Sequence, residues 1–173
     1  GYSAEWPVEA KKRGLPNLYT TPLSIAQFAT AKNKKVLEEM GVFSAKEADA
    51  RQAVMYENYN ATLKIEAQTL IKMVETGIIP ACAKDHMKYN GDKELLGDRT
   101  GVYTGIKVAN DKLKDLMTKV PHGDAAKEAD YFCDTVKPQM GEVRALVDKA
   151  EGLLEKGTYP YPTYEQMLYE HHS

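Results

Sequence analysis

Four stretches of the chain carry apolar residues at the alternating spacing of three and four positions that is typical of one face of an α-helix. The first runs from Pro22 to Met40 and the second from Ser44 to Thr76, while the third covers about 101–120 and the fourth about 125–155. No run alternates with period two over the length of a strand. The pattern therefore predicts an all-α fold with almost no sheet.

These apolar stripes define the expected core. Helix by helix, the predicted core positions are Leu23, Ala26, Ala29, Val36, Leu37 and Met40; Tyr56, Asn60, Leu63, Ala67, Leu70 and Val74; Val102, Ile106, Ala109, Leu113, Leu116 and Val120; and Ala129, Cys133, Val136, Met140, Val143, Val147, Ala150 and Leu154.

Capping residues mark where the first two helices begin. Thr21 is placed to cap the first helix, with Pro22 in its first turn and Gly41 at its exit. Ser44 and Glu47 have the spacing of a capping box, in which the hydroxyl and the carboxylate each bind an orphan amide. The second helix is therefore expected to open at Ser44.

Proline and glycine residues predict where the helices stop. Gly77 and Pro80 should end or kink the second helix, and Pro138 and Gly141 should bend the fourth. The segment 121–124 is short enough to join the third and fourth helices as an antiparallel hairpin. With the two long helices, this predicts a four-helix bundle.

The two ends of the chain are expected to lie outside that bundle. We predict one helical domain over 1–173, with an extended arm at 1–20, the bundle at 21–155 and a docking tail at 156–173. The tail alternates Tyr and Pro, which favours an extended segment, and a short helix with Met167 and Leu168 facing inward should follow it. Glycine and aspartate predict a loop at 84–100.

Composition narrows the partners that the chain can have. The chain has 173 residues and a net charge of −2, so there is no basic excess to attract nucleic acid or an anionic membrane surface. No apolar run approaches the ~20 residues that a membrane span needs. The two cysteines, Cys82 and Cys133, have no CxxC pattern and are expected to be reduced thiols, with a disulfide between facing helices as the alternative.

The sequence carries no motif of a catalytic or cofactor site. Its histidines, His86, His122, His171 and His172, lack the spacing of metal ligands. There is no phosphate-binding glycine loop and no GxSxG turn, and neither cysteine is arranged with a histidine as a nucleophile. We therefore expect no catalytic residue, no cofactor and no metal in this chain.

Several residues are candidates for contacts with other proteins. Aromatic anchors in the arm and tail, and three glycines spaced by four that could admit a partner helix, form the candidate interface: Trp6, Leu18, Tyr19, Gly97, Gly101, Gly105, Tyr159, Tyr161 and Tyr164. The alternatives are ordinary half-buried tyrosines and, for the glycines, a loose loop that runs into the third helix.

One carboxylate stands inside an apolar stretch of the longest helix. Glu66 lies between Ile65 and Ala67, and it is a candidate for an internal ion pair with Arg51 or Arg144. Simple exposure and a role in substrate chemistry are the alternatives, and a single carboxylate does not make an acid–base pair.

Longer sequence motifs point to a known family. The chain reads RGLPN…TT, then GVFS…E…R at 41–51, then Y…IEA.T…M…IIPA up to Ala81; near its end come VKPQM at 136–140 and YPYPTY at 159–164. This pattern resembles the helical C-terminal domain of type III glutamine synthetases over about 1–83 and 131–169. The segment 84–100 departs from it.

The resemblance implies a domain without that family's chemistry. The family makes glutamine from glutamate, ammonia and ATP with a divalent metal in a large ring-shaped oligomer, and its active site lies upstream of this domain. None of its metal, nucleotide or glutamate ligands can be assigned to these 173 residues.

Three hypotheses for function follow. The chain is a stand-alone structural or linker subunit that binds other protein subunits in a larger complex, or it is a fragment of a full-length glutamate–ammonia ligase in which it supports oligomer assembly. A third hypothesis is a helical bundle that binds a pigment or another apolar small molecule, which predicts an open apolar cavity.

The compartment depends on how the first residue, Gly1, arose. Removal of a targeting peptide would place the chain in a plastid or mitochondrion, with a membrane-associated complex as a plausible host. An excised fragment or a cytoplasmic protein is the alternative, and the sequence leaves these open.

Overall fold

The computed structural model of the chain describes residues 3–169, which are all-α and contain no strand. The helices of this part of the chain are α1 (Trp6–Lys12), α2 (Thr21–Phe28), α3 (Ala31–Glu39), α4 (Ala45–Met73), α5 (Ile79–Met87), α6 (Lys93–Leu96), α7 (Arg99–Thr118), α8 (Ala125–Tyr131), α9 (Lys137–Leu153) and α10 (Tyr164–Tyr169). A first π-helical turn (Val74–Ile78) joins α4 to α5, and a second (Phe132–Val136) joins α8 to α9.

The predicted first helix is in fact two helices, α2 and α3. Side chains end α2 in place of a glycine or proline, because the Asn33 amide and the Thr30 hydroxyl donate to the Gln27 carbonyl oxygen at 2.7 Å and 3.2 Å. The cap of α2 is also Thr20, not Thr21: its hydroxyl accepts from the Leu23 amide at 3.4 Å. No residue of α3 is buried, so its predicted apolar side does not enter the core.

The predicted extended arm at 1–20 was wrong for its middle part, which forms helix α1. Pro7 fits the first turn of this helix because its missing amide hydrogen is not needed there. The exposed Glu9 carboxylate accepts from Arg13 one turn later, and Ala10 is buried. The residues from Leu15 to Tyr19 carry no helix.

The capping box at Ser44 is confirmed. The Glu47 amide donates to the Ser44 hydroxyl at 3.3 Å, and the Ser44 amide donates to the Glu47 carboxylate at 2.7 Å. These hydrogen bonds satisfy amides at the start of α4 that have no partner within the helix.

The helical run that opens at Ser44 does not end at Thr76 as predicted, because a π turn carries it past Pro80. A proline in a regular α-helix removes one hydrogen bond and presses on the carbonyl four residues earlier. The wider π turn comes immediately before Ile79 and Pro80, and the second π turn comes in the same way before Lys137 and Pro138. Gly141, by contrast, lies within the regular helix α9.

The predicted loop at 84–100 is largely helical. Helix α5 continues to Met87, and a turn with positive φ at Asn90 (47°) and Gly91 (80°) reverses the chain. Asp92 then caps α6 by accepting from two backbone amides at 3.0 Å and 3.1 Å.

The described residues form two compact units. The first contains the residues up to Asn60 together with His122–Cys133, and the second contains Ala61–Pro121 and the described residues from Asp134 onward. In the first unit, Ile25, Tyr56 and Ala129 form a buried cluster, and Gln52 donates to the Ile25 carbonyl oxygen at 2.8 Å.

The core of the second unit follows the predicted stripes closely. Helix α7 packs on α9, and α5 packs on α7. The side chains of Ile78, Ile106, Leu113, Val136 and Val143 are completely or almost completely buried there. Three of the four predicted stripes therefore face the interior. The stripe of the first predicted helix was wrong, because none of its residues is buried and α2 instead buries Pro22 and Ile25.

Candidate functional site

The second unit holds a buried carboxylate with two partners. Asp85 lies on α5 and is 1% exposed. The Tyr103 hydroxyl donates to its Oδ2 at 2.7 Å, and Arg99 Nε donates to the same oxygen at 3.2 Å. Arg99 also donates to the Leu153 carbonyl oxygen at 2.9 Å, so this cluster fastens α5, α7 and the end of α9.

In this Asp85 cluster, one carboxylate oxygen has two hydrogen-bond donors and the other has none within residues 3–169. Asp85 Oδ1 is buried and has no hydrogen-bond partner among the described residues. Burial and the hydrogen bond to Asp85 together raise the pKa of Tyr103, so its hydroxyl stays protonated. The Arg99 guanidinium lies 4.9 Å from the centre of the Tyr89 ring, which covers part of its charge.

The Asp85 cluster was not predicted from the sequence, although a signal was present. Asp85 falls seven residues after Ile78 and therefore continues the buried stripe of Val74 and Ile78 into α5. A charged residue at a stripe position needs a buried partner. Arg99 and Tyr103, one turn apart on the next long helix, are such partners.

An open apolar cavity of about 460 Å³ lies in the groove between α5 and α7. Ile79, Cys82 and Ile106 contribute apolar wall, and His86 and Lys107 are among the polar residues that line it. His86 Nε2 lies 3.1 Å from the Thr100 hydroxyl, which also lines the cavity. Burial raises the pKa of the Cys82 thiol to about 11, so the wall carries no thiolate at neutral pH.

The tail of the chain docks onto the first π turn. The Tyr161 hydroxyl donates to the Met73 carbonyl oxygen at 3.0 Å, just where the helix widens. Its ring occupies space that only a glycine leaves, since a Cβ on Gly77 would lie 2.5 Å from Tyr161 Oη. Tyr159 packs edge-on against Tyr161, with ring centres 6.3 Å apart.

A second set of contacts holds the short helix α10. Arg144 donates to the Tyr164 hydroxyl and lies over its ring, and the Tyr164 amide donates to the Glu151 carboxylate at 3.0 Å. The predicted capping box is present, with the Gln166 amide donating to the Thr163 hydroxyl at 3.2 Å.

The apolar residues of α10 do not face inward as predicted. Met167 is 60% exposed and Leu168 is 74% exposed. The anchors at Tyr161 and Tyr164 thus hold a short helix whose apolar side chains stay in solvent.

The other predicted interface residues have different surroundings. In the first unit, Trp6 and Leu18 are each 38% exposed and Tyr19 is 79% exposed. The glycines do not share one environment: Gly97 has a φ of 49° after α6, and a Cβ on Gly101 would meet nothing within 4 Å. A Cβ on Gly105 would lie 3.5 Å from the Leu146 side chain, so this glycine already faces another helix.

The three residues predicted to form an internal ion pair are all exposed. Arg51 lies over the Phe43 ring, 5.5 Å from its centre, and Arg144 binds Asp148 at 2.8 Å. Among the described side chains, Glu66 has no ion-pair partner within salt-bridge distance. These three residues therefore do not form a buried ion pair with one another.

In residues 3–169, no three or more His, Cys, Asp or Glu side chains converge as a metal site would require. His171 and His172 lie outside the described residues. Cys82 and Cys133 are free, so the alternative of a disulfide between them is not realised. Within the same residues, no helix combines the length and the apolar character needed to cross a membrane.

Comparison with known proteins places this chain among glutamine synthetase sequences. Residues 1–91 match the family described as the glutamine synthetase C-terminal domain. The type-3 glutamine synthetase of Dictyostelium discoideum is 30% identical over 190 residues, covering 98% of this chain and 26% of that protein. The glutamine synthetase of Butyrivibrio fibrisolvens is 31% identical over 186 residues, covering 98% and 27%.

A third relative shows the same proportions. The glutamine synthetase of Bacteroides fragilis (strain YCH46) is 24% identical over 190 residues, covering 98% of this chain and 26% of that protein. The chain thus spans about a quarter of the length of these curated relatives.

Proposed function

Because this chain belongs to the family of glutamine synthetase C-terminal domains, we propose that it is a non-catalytic structural subunit, a linker that binds other proteins within a larger assembly. Its 173 residues correspond to that domain, and the catalytic core of the relatives lies outside them. A role in protein binding needs a surface that offers apolar area to a partner.

The exposure of apolar residues on helix α10 is the observation that carries this proposal. Its exposed residues Met167, Leu168 and Tyr169 are 60%, 74% and 76% exposed. The anchors of Tyr161 and Tyr164 hold this helix in place within the second unit, so little ordering entropy remains to oppose binding. Adjacent exposed apolar residues on a fixed element are typical of an interaction surface.

The first unit offers a second surface of the same kind. Val36, Met40 and Val42 are 44%, 71% and 52% exposed, at and just beyond the end of α3. A linker needs more than one binding surface, and this one lies in a different unit from α10.

Native mass spectrometry of the chain, isolated gently from its source, tests the proposal. The expected result is a 19.3 kDa polypeptide within a complex of other proteins. Leu168→Glu should weaken that complex, because it places a charge in the apolar contact. Gln68→Glu, which adds the same charge at an exposed position of α4, is the matched control. A free 19.3 kDa monomer as the sole species would contradict the proposal.

The alternative is that this domain is the C-terminal part of a full-length, ATP-dependent glutamate–ammonia ligase, where it supports oligomer assembly. The observation that favours it is the length of the relatives, of which the chain covers about a quarter. In the same experiment, this alternative predicts that the residues occur within a polypeptide of about four times the length, in a homo-oligomer.

We also propose that the long helices of the chain form a four-helix bundle. The packing of α7 on α9, and the burial of the stripe residues along α4, support it.

A further inference from the structure

We infer that the cavity between α5 and α7 is a binding site for a compact apolar molecule that carries one carboxylate or a similar oxyanion. This site is independent of the proposed assembly role, since its residues are not those of α10 or α3. Its volume of about 460 Å³ falls within the ~300–1,000 Å³ typical of small-molecule pockets. An open apolar cavity is also what the small-molecule hypothesis predicts.

The walls of the cavity suit an apolar body. Ile79 and Met87 from α5 and Ile106 from α7 line it, and the Cys82 thiol between them is 4% exposed. Burial of the ligand's carbon skeleton against these side chains supplies affinity without requiring a specific geometry.

The polar groups that line the cavity suit an anion. They include Lys107, the imidazole of His86 and the hydroxyl of Thr100, and no Asp or Glu is among the lining residues. The nearby carboxylate of Asp85 is occupied by Tyr103 and Arg99. Lys107 therefore places a positive charge at the cavity.

The start of α7 strengthens this preference for an anion. Thr100 lies in the first turn of a 20-residue helix, where the backbone amides and the helix dipole favour negative charge. Asp98, the N-cap residue, makes no side-chain hydrogen bond to these amides. The Lys107 ammonium contacts the exposed Asp111 carboxylate one turn away. Such exposed pairs are weak, so a ligand can recruit the lysine.

A pair of fluorescent probes tests the inference. Anilinonaphthalene sulfonate is an apolar aromatic molecule with one anionic group, and N-phenylnaphthylamine has the same rings without the sulfonate. Fluorescence titration of the folded chain should show one saturable site for the sulfonate and weaker binding of the neutral probe. Equal affinities for the two probes, or no saturable binding, would overturn the inference.

Variants then locate the site. Ala83 is exposed on the rim of the cavity, and Ala83→Trp should fill it and weaken sulfonate binding about tenfold or more. Thr104→Trp fills the cavity from the opposite helix and should act in the same way. Ala145→Trp, at an exposed position of α9 outside the cavity, is the matched control. Circular dichroism verifies that each variant is folded, and equal binding by all three would overturn the inference.

A charge pair separates anion recognition from loss of structure. Lys107→Gln should weaken the sulfonate about fivefold, as expected for one exposed charge contact, and leave the neutral probe unchanged. Asp111→Asn should strengthen sulfonate binding, because it frees Lys107 and removes a neighbouring negative charge. If the wild-type chain binds neither probe while Ala83→Trp dissociates its protein complex, the groove is a protein-docking surface and the ligand inference is wrong.

Discussion

The missing side chain of Gly77 is what allows Tyr161 to reach the backbone of the first π turn. The hydroxyl of Tyr161 binds the Met73 carbonyl at 3.0 Å, and a Cβ on Gly77 would lie 2.5 Å from that hydroxyl oxygen and 2.9 Å from Cζ. Such distances leave no room for a methyl group. The docking of Tyr161 thus depends on one glycine.

Gly77→Ala should therefore destabilise the second unit by about 1–3 kcal/mol, as overpacking does elsewhere. Urea denaturation measures this. The control is Gly141→Ala, where a Cβ would meet nothing within 4 Å and helix propensity should add about 0.5–1 kcal/mol. In a Tyr161→Ala background the cost of Gly77→Ala should disappear. A cost that persisted there would show that the strain lies in the π turn itself.

A second prediction concerns the buried Asp85. Asp85→Ala leaves the Arg99 guanidinium without its carboxylate and Tyr103 without its acceptor, and should cost about 3 kcal/mol. Asp111→Ala, which breaks the exposed pair with Lys107, should cost about 0.5 kcal/mol or less. Thermal or urea unfolding compares the two, and similar losses would mean that Asp85 is not a fastening point.

The Cys82 thiol gives a pH dependence. Its pKa is raised by burial from 9.0 to about 11, so between these values the unfolded chain loses the thiol proton while the folded chain keeps it. In this pH range the folded chain binds more protons than the unfolded chain. The free energy of unfolding should therefore fall as pH rises from 9 to 11. Cys82→Ala should flatten this slope, whatever its packing cost. An unchanged slope would assign the alkaline loss to other groups.

At the scale of elements, local signals predicted the start of α4. Ser44 and Glu47 satisfy each other within one turn, so the sequence alone contains the whole cap. The end of α2 was missed, because the donors from Thr30 and Asn33 replace the usual glycine. The helical run through Pro80 was missed because a π turn absorbs the proline.

The candidate sites were harder to predict, since they need residues that are distant in sequence. Asp85 is completed by Arg99 and Tyr103, and Gly77 by Tyr161 from the far end of the chain. Spacing along one helix places a residue on a face, but it does not identify the partner on another element. The sequence motifs therefore indicated a family, but they did not indicate a site.

The capping box supplies the prediction at this scale. Ser44→Ala should destabilise the start of α4 by about 1 kcal/mol, while Ser44→Thr keeps a capping hydroxyl and should cost less. Hydrogen bonds from the Ser44 backbone and hydroxyl lower the pKa of Glu47 below 4.5. The contribution of this carboxylate is therefore present above that pH and lost as pH falls further. Urea denaturation of wild type and Glu47→Gln across this range measures it, and parallel pH profiles would contradict the prediction.

For the molecule as a whole, a chain that matches a C-terminal domain and spans about a quarter of its relatives should fold without performing their reaction. We expect that the 173-residue chain, supplied with glutamate, ammonium, ATP and magnesium, forms no glutamine above the level of a boiled control. A ligand that binds only the folded state raises the midpoint of thermal unfolding. Because we expect none of these compounds to bind this chain, its midpoint should stay unchanged when they are added. A rise with magnesium and ATP alone would reveal a nucleotide site in this domain. Glutamine formation would contradict the structural role, since both forms of the proposal place the chemistry outside these residues.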